Sequence, residues 1–166
     1  MKKDVMKLVL IIGIGFFIAL MGYPFLHELG HVIASLLVGA EVLELTLFPV
    51  PSVLCDVTSV DTVGLVVIGL GGAFFPLLFS LAIPRRWFVS WCTRTILQCI
   101  TVLSFAISCV SILFSVNHQD DMIQVLNFWE SGETVLLVIL CSSAVATLAA
   151  IALDRPGRRI CNFFGV

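Results

Sequence analysis

His27-Glu28-Leu29-Gly30-His31 puts two imidazoles four residues apart with a carboxylate between them. On a helix, positions i and i+4 share a face, so both rings can reach a single metal ion. Glu28 stays near that face, close enough to take a proton from water at the metal without being a ligand itself. This HExxH pattern is a zinc metalloprotease signature. His27 and His31 are therefore the expected zinc ligands, and Glu28 the expected catalytic acid/base.

A catalytic zinc usually takes three protein ligands and keeps one position open. The extension that brings a third histidine just downstream in some such enzymes is absent, because Val32-Ile33-Ala34-Ser35 follows. The third ligand has to come from a distant segment. A short polar loop, His118-Gln119-Asp120-Asp121, precedes Met122-Ile123-Gln124-Val125-Leu126. A carboxylate from Asp120 or Asp121 is the expected donor. The competing role for these two aspartates is to cap the helix that follows, and one can cap while the other binds metal. Glu41, Glu44, Asp56 and Asp61 read as solvated turn or edge positions.

The elements that must hold these residues are mostly apolar. A bilayer-crossing helix needs about 17–25 residues. Stretches of that kind run over 5–22, 62–83, 88–114 and 134–153. A further apolar piece, 24–39, carries the HExxH pattern. Joined to the first stretch it would make a helix of about 35 residues, roughly 52 Å long, too long for one straight crossing of a core about 30 Å thick. Gly22-Tyr23-Pro24 lies between the pieces, and proline breaks or kinks helices. We therefore expect 24–39 to be a separate, sharply bent or re-entrant helix, closed by Gly39. Between residues 41 and 60, Leu43, Leu45 and Leu47 alternate with polar residues, Pro49 and Pro51 interrupt, and Val53 to Val60 is β-branched. That pattern predicts a short hairpin or ribbon at the surface.

Composition sets the class. The 166 residues are 60% hydrophobic and 12% charged, with a mean hydropathy of +1.13, whereas soluble domains carry about 25% charged residues. The fold class expected is an all-α, multi-pass integral membrane protein, with about four transmembrane helices and one domain over 1–166. A net charge of −2 argues against nucleic acid as a partner. The six cysteines form no CxxC pair, and the four within apolar runs read as small core residues. Lys2, Lys3 and Lys7 followed by an apolar run superficially resemble a signal peptide, but no small-x-small cleavage site follows, and a retained membrane segment is expected.

Charge placement predicts the topology. Lys2, Lys3 and Lys7, then Arg85 and Arg86, then Arg155, Arg158 and Arg159 fall on one side of four crossings. Glu41, Glu44, Asp56, Asp61, Asp120, Asp121, Glu130 and Glu133 fall on the other. The positive-inside rule puts both termini in the cytoplasm, provided that 24–39 is not an independent crossing. Arg94 and Gln98 are polar positions one turn apart in the third span, and Arg94 is near enough to the Arg85-Arg86 end to snorkel. Ionisable groups at mid-helix depth cost about 2.5–3.5 kcal/mol on insertion scales and usually mark function. Two histidines and a glutamate on one apolar helix are thus an improbable accident.

His27-Glu28-Leu29-Gly30-His31 on an apolar helix, followed by Ala34 and Gly39-Ala40, resembles the site-2 protease family of intramembrane zinc metalloproteases. Gly69-Leu70-Gly71-Gly72-Ala73-Phe74-Phe75-Pro76 is loosely similar to the family's Gly-rich segment. The likeness covers roughly residues 20–126, close to a minimal catalytic core. It implies Zn2+ as cofactor, a distant aspartate completing the site, a membrane protein or peptide as substrate, and zinc toward the cytosolic side. The Asn-Pro-Asp-Gly type of sequence around that aspartate in many members is missing, so Asp120 and Asp121 both stay open as ligands. Charge placement, by contrast, puts the motif on the side of the acids. The Gly71-Gly72 pair also has a plainer reading as close helix packing. Two rival functions use the same residues: a catalytically silent relative that binds membrane partners, and a metal-handling membrane protein. Proteolysis needs an open coordination position and Glu28, whereas transport would spread more polar residues along the spans.

Overall fold

The computed structural model describes residues 2–116 and 120–165. The first apolar stretch and the HExxH segment are not separate helices. Helix α1 (Lys2–Phe17) runs through a π-helical turn (Ile18–Gly22) into α2 (Tyr23–Val38), and the junction residues Phe17, Gly22 and Tyr23 all keep right-handed helical dihedrals. Pro24 explains the π turn. It has no N–H to give the preceding turn and crowds the carbonyl four residues back. Widening the turn, so that the Tyr23 N–H reaches the Ile18 carbonyl five residues back, absorbs the defect without ending the helix. The helix closes at Gly39, whose φ of 78° is the left-handed conformation glycine tolerates.

Strands β1 (Glu41–Thr46) and β2 (Ser52–Asp56) pair antiparallel, with Leu45 opposite Val53 and an irregularity between Val42 and Glu44. The expected hairpin is therefore present. Helices α3 (Thr62–Ala82), α4 (Phe88–Phe114) and α6 (Glu133–Leu153) follow the predicted apolar stretches within one residue. Between the last two lies the short helix α5 (Asp121–Leu126), and α7 (Pro156–Phe164) ends the chain. Among the described residues, four helical stretches are long and apolar enough to cross a membrane: Asp4–Leu37, Thr62–Ala82, Phe88–Phe114 and Glu133–Phe164.

Two apolar clusters position the chemistry. In one, Met122, Ile123 and Val125 of α5 are buried among Ala73 of α3, Phe105 and Ile112 of α4, and Leu136 and Leu140 of α6. In the other, Ile18 and Leu26 of the N-terminal rod pack on Leu97 of α4. Helices α2 and α3 approach backbone to backbone. A Cβ on Gly30 would lie 2.8 Å from the Gly71 carbonyl carbon, and one on Gly71 would lie 2.6 Å from the Ala34 Cβ. Small residues are what permit so close a crossing.

Arg94 reaches toward the Arg85-Arg86 end, where its guanidinium meets backbone rather than solvent. It is 4% exposed and donates to the carbonyls of Leu81 (3.0 Å) and Ile83 (3.4 Å), completing the C-terminus of α3. The last-turn carbonyls of a helix lack intrahelical donors, and a guanidinium supplies them at closer range than solvent does.

Candidate metal centre

His27 and His31 project from one face of α2, as i and i+4 require. Asp121 reaches them from the first residue of α5. His27 Nε2 is 3.0 Å from Asp121 Oδ2, His31 Nε2 is 3.2 Å from the same oxygen, and the two Nε2 atoms are 3.2 Å apart. The residues are 94 and 90 positions apart in sequence, and the burial of the α5 apolar face in the core is what brings them together.

The triangle fits a small divalent ion. Zinc–nitrogen and zinc–oxygen bonds of about 2.0–2.1 Å at tetrahedral angles put neighbouring donors roughly 3.3 Å apart. The donor chemistry fits as well. His31 Nδ1 lies 2.9 Å from the Ile68 carbonyl oxygen. A carbonyl only accepts, so Nδ1 carries a proton, and in the neutral ring the lone pair of Nε2 turns inward. This is the outer hydrogen bond usual for a metal-ligating histidine. An ionised Asp121 is likewise acceptor-only. Two acceptors 3.2 Å apart repel unless a positive charge lies between them, which either a proton on the imidazole or a metal ion supplies. His27, Asp121 and His31 thus form a group that could hold a metal ion.

The outer hydrogen bond is confined to His31, because His27 Nδ1 is buried with no hydrogen-bond partner among the described residues. The His27 ring meets the His31 ring edge-on, at 4.8 Å between centroids and 84° between planes. Gly72 makes room for His31: a Cβ there would lie 2.6 Å from Cε1 and 2.9 Å from Cδ2, and closer still to Nε2. Gly69 does the same for α5, since its Cβ would lie 2.6 Å from Val125 Cγ2. Burial pushes the Asp121 carboxyl upward, but the hydrogen bonds and charge of the two imidazoles outweigh it and hold the group well below the usual carboxylate range.

Asp120 is not in this group. Its Oδ1 accepts the Met122 N–H at 2.9 Å as the N-cap of α5, and its Oδ2 accepts the Ser108 hydroxyl at 3.0 Å. Asp120 thus caps, and Asp121 faces the histidines. The other acids also have structural partners: Asp61 caps α3 through Gly64 N–H at 2.8 Å, Asp56 accepts Thr58 N–H at 2.9 Å, and Glu44 accepts the Thr46 hydroxyl. His118 lies outside the described residues.

Beside the donors is a cavity of about 380 Å³. Glu28, His31 and Asp121 supply its polar wall, and Val53, Ile68 and Phe128 part of its apolar one. The hairpin contributes β2 residues Ser52 to Cys55, not β1, although the leucine alternation in the sequence draws attention to β1. The Val53 amide faces the Glu28 carboxylate. The Ile68 carbonyl and Ser108 carry no sequence signal for these roles, since backbone acceptors are not encoded by residue type and a serine in an apolar helix is commonplace. Gly72 had a signal in the Gly-rich run, without an indication of what it cleared space for. No family model, curated protein or solved structure matches this chain.

Proposed function

We propose that this chain is an intramembrane zinc metalloprotease that hydrolyses peptide bonds of membrane-associated substrates. The observation that carries the reading is the convergence of His27 Nε2, His31 Nε2 and Asp121 Oδ2 to 3.0–3.2 Å at the wall of a cavity that also holds Glu28. His27, His31 and Asp121 would hold the zinc ion, which would supply Lewis acidity for the scissile carbonyl and lower the pKa of water. Glu28 takes the proton of the attacking water and returns it to the leaving amine.

A helical substrate hides its peptide bonds and has to unwind first. The edge of β2 that is not paired with β1 lines the cavity, which suits an extended segment bound by strand addition, with its backbone led past Glu28. The apolar wall from Ile68 and Phe128 suits an apolar side chain. His27 stands some 20 residues along the rod from Lys7, or roughly 30 Å. A bilayer core is about as thick, so on this reading the site works near the face opposite the basic clusters.

The test is cleavage of a membrane peptide by reconstituted protein, wild type against Glu28→Gln, with zinc measured in both. We expect about one zinc per chain in each and a loss of cleavage of at least about 100-fold in the variant. Cleavage that persists in Glu28→Gln would sink the assigned mechanism.

A further inference from the structure

Eight of the nine Lys and Arg residues belong to the three basic clusters, and side-chain contacts gather these clusters at one end of the fold. Lys7 donates to the Phe163 carbonyl at 2.6 Å and lies 5.0 Å from the centre of the Phe163 ring. Phe163 stacks on Phe88 at 3.6 Å and 3°. Arg159 donates to the Arg85 carbonyl at 2.9 Å and lies 5.7 Å from the Trp91 ring, while Arg85 pairs with Asp154. Helix α7 is therefore docked across the ends of α1 and α4 by its Arg159 and Phe163 face. Its other flanks stay exposed: Arg158 and Asn162 are polar, and Ile160 is apolar at 43% exposure. Trp87, 73% exposed, stands beside Arg86 at the same end.

Arg86, Arg155 and Arg158 are exposed and pair with no carboxylate among the described residues. Among the described side chains of this end, six cations (Lys7, Arg85, Arg86, Arg155, Arg158 and Arg159) accompany two carboxylates, Asp4 and Asp154. A short helix with an apolar flank and an arginine flank, set beside an exposed tryptophan, has the chemistry of an interfacial element rather than of a span. Three unpaired, planar guanidiniums match oxyanions that accept two N–H bonds at once, and the phosphate of a lipid headgroup is such an acceptor.

We propose that α7 with the Arg85–Trp87 loop is a binding surface for anionic phospholipid, the headgroup phosphates engaging Arg86, Arg155 and Arg158. The inference rests on the membrane-spanning reading above and adds to it a lipid preference at the end of the protein away from the metal group. Ordinary charge bias places cations on one side; the docked amphipathic helix concentrates them on one surface.

Trp87 is exposed at this surface and Trp91 is buried beneath Arg159 at the same end, whereas Trp129 packs against the core cluster around α5, so tryptophan emission can report locally. The experiment reconstitutes Trp129→Phe protein into phosphatidylcholine vesicles doped with brominated phosphatidylglycerol or, separately, brominated phosphatidylcholine. Brominated phosphatidylglycerol is expected to quench more strongly at equal mole fraction, and the difference is expected to shrink as salt rises. In Arg86→Gln/Arg155→Gln/Arg158→Gln the two lipids should quench alike. Each cation near an anionic surface contributes on the order of fivefold at low salt, so the three together put up to about 100-fold of lipid preference at stake. Glycerol phosphate in the buffer should not compete; if it abolishes the difference, the surface is a site for soluble phosphate esters and the lipid assignment is overturned. Equal quenching in the parent protein, or a preference retained by the triple variant, also overturns it. Quenching by neither lipid, with the protein left outside the vesicles, would refute the membrane-spanning reading itself.

Discussion

Gly72 offers the sharpest test of the metal centre, because the perturbation is a single methyl group aimed at one ligand. An alanine Cβ there would sit 2.6 Å from His31 Cε1 and 2.9 Å from Cδ2. Ordinary carbon contacts are about 3.5–4.0 Å, so the ring has to retreat by about 1 Å. Metal sites hold their donor distances within about 0.2 Å. The His31 side chain cannot yield without cost, since Nδ1 is tied to the Ile68 carbonyl at 2.9 Å and the residue is buried. Disturbing a ligand's outer partner alone costs about 10–100-fold in affinity. Displacing the ligand atom should cost at least the upper end of that range, and the crowding itself should destabilise the fold by about 1–3 kcal/mol. The assay is zinc competition against a chelator together with thermal unfolding in detergent. The partner variant is His31→Ala, which removes the ring: in that background Gly72→Ala should lose its stability penalty, because the clash is gone and alanine is the better helix former by about 1 kcal/mol. Gly13→Ala, with nothing within 4 Å of the added carbon, serves as the clash-free control that shows the helix-propensity gain alone. Wild-type zinc affinity in Gly72→Ala, or an undiminished penalty without the His31 ring, would refute the reasoning.

The two aspartates should separate cleanly. Asp121→Asn is expected to lose most of the roughly one zinc per chain, by elemental analysis of purified protein, while Asp120→Ala keeps its zinc and unfolds with about 0.5–2 kcal/mol less stability from the lost N-cap. Val53→Pro removes the amide that faces Glu28. It should leave zinc content unchanged and lower cleavage of a membrane peptide by at least about tenfold, and loss of zinc instead would show that the hairpin braces the metal group rather than the substrate.

How much of this was legible in advance depends on the range of the interaction. The apolar runs over 62–83, 88–114 and 134–153 became α3, α4 and α6 with ends moved by one residue at most, because an unbroken apolar run and its flanking caps are local signals. The hairpin was likewise visible as alternation broken by prolines. At Gly22-Tyr23-Pro24 the expectation of a separate helix was overturned for an equally local reason. Proline forbids one hydrogen bond, but it does not forbid a π turn that spares the bond, and the packing of Ile18 and Leu26 on Leu97 favours keeping one rod. The partners of Arg94 were not legible, because the α3 carbonyls it serves are neighbours only in space.

By itself the sequence determined the chemistry on offer: two imidazoles on one helical face, a carboxylate beside them, an apolar chain to carry them and two adjacent aspartates as candidates for the third donor. Residue type and helical periodicity encode all of that. Only the tertiary structure decided between Asp120 and Asp121. Adjacent residues at a helix N-terminus point in different directions, and which one faces α2 depends on how α5 rolls its Met122, Ile123 and Val125 face into the core. The structure likewise decided that β2 rather than β1 walls the cavity, and that Gly72 holds open the space for His31. Each is set by contacts between segments far apart in the chain.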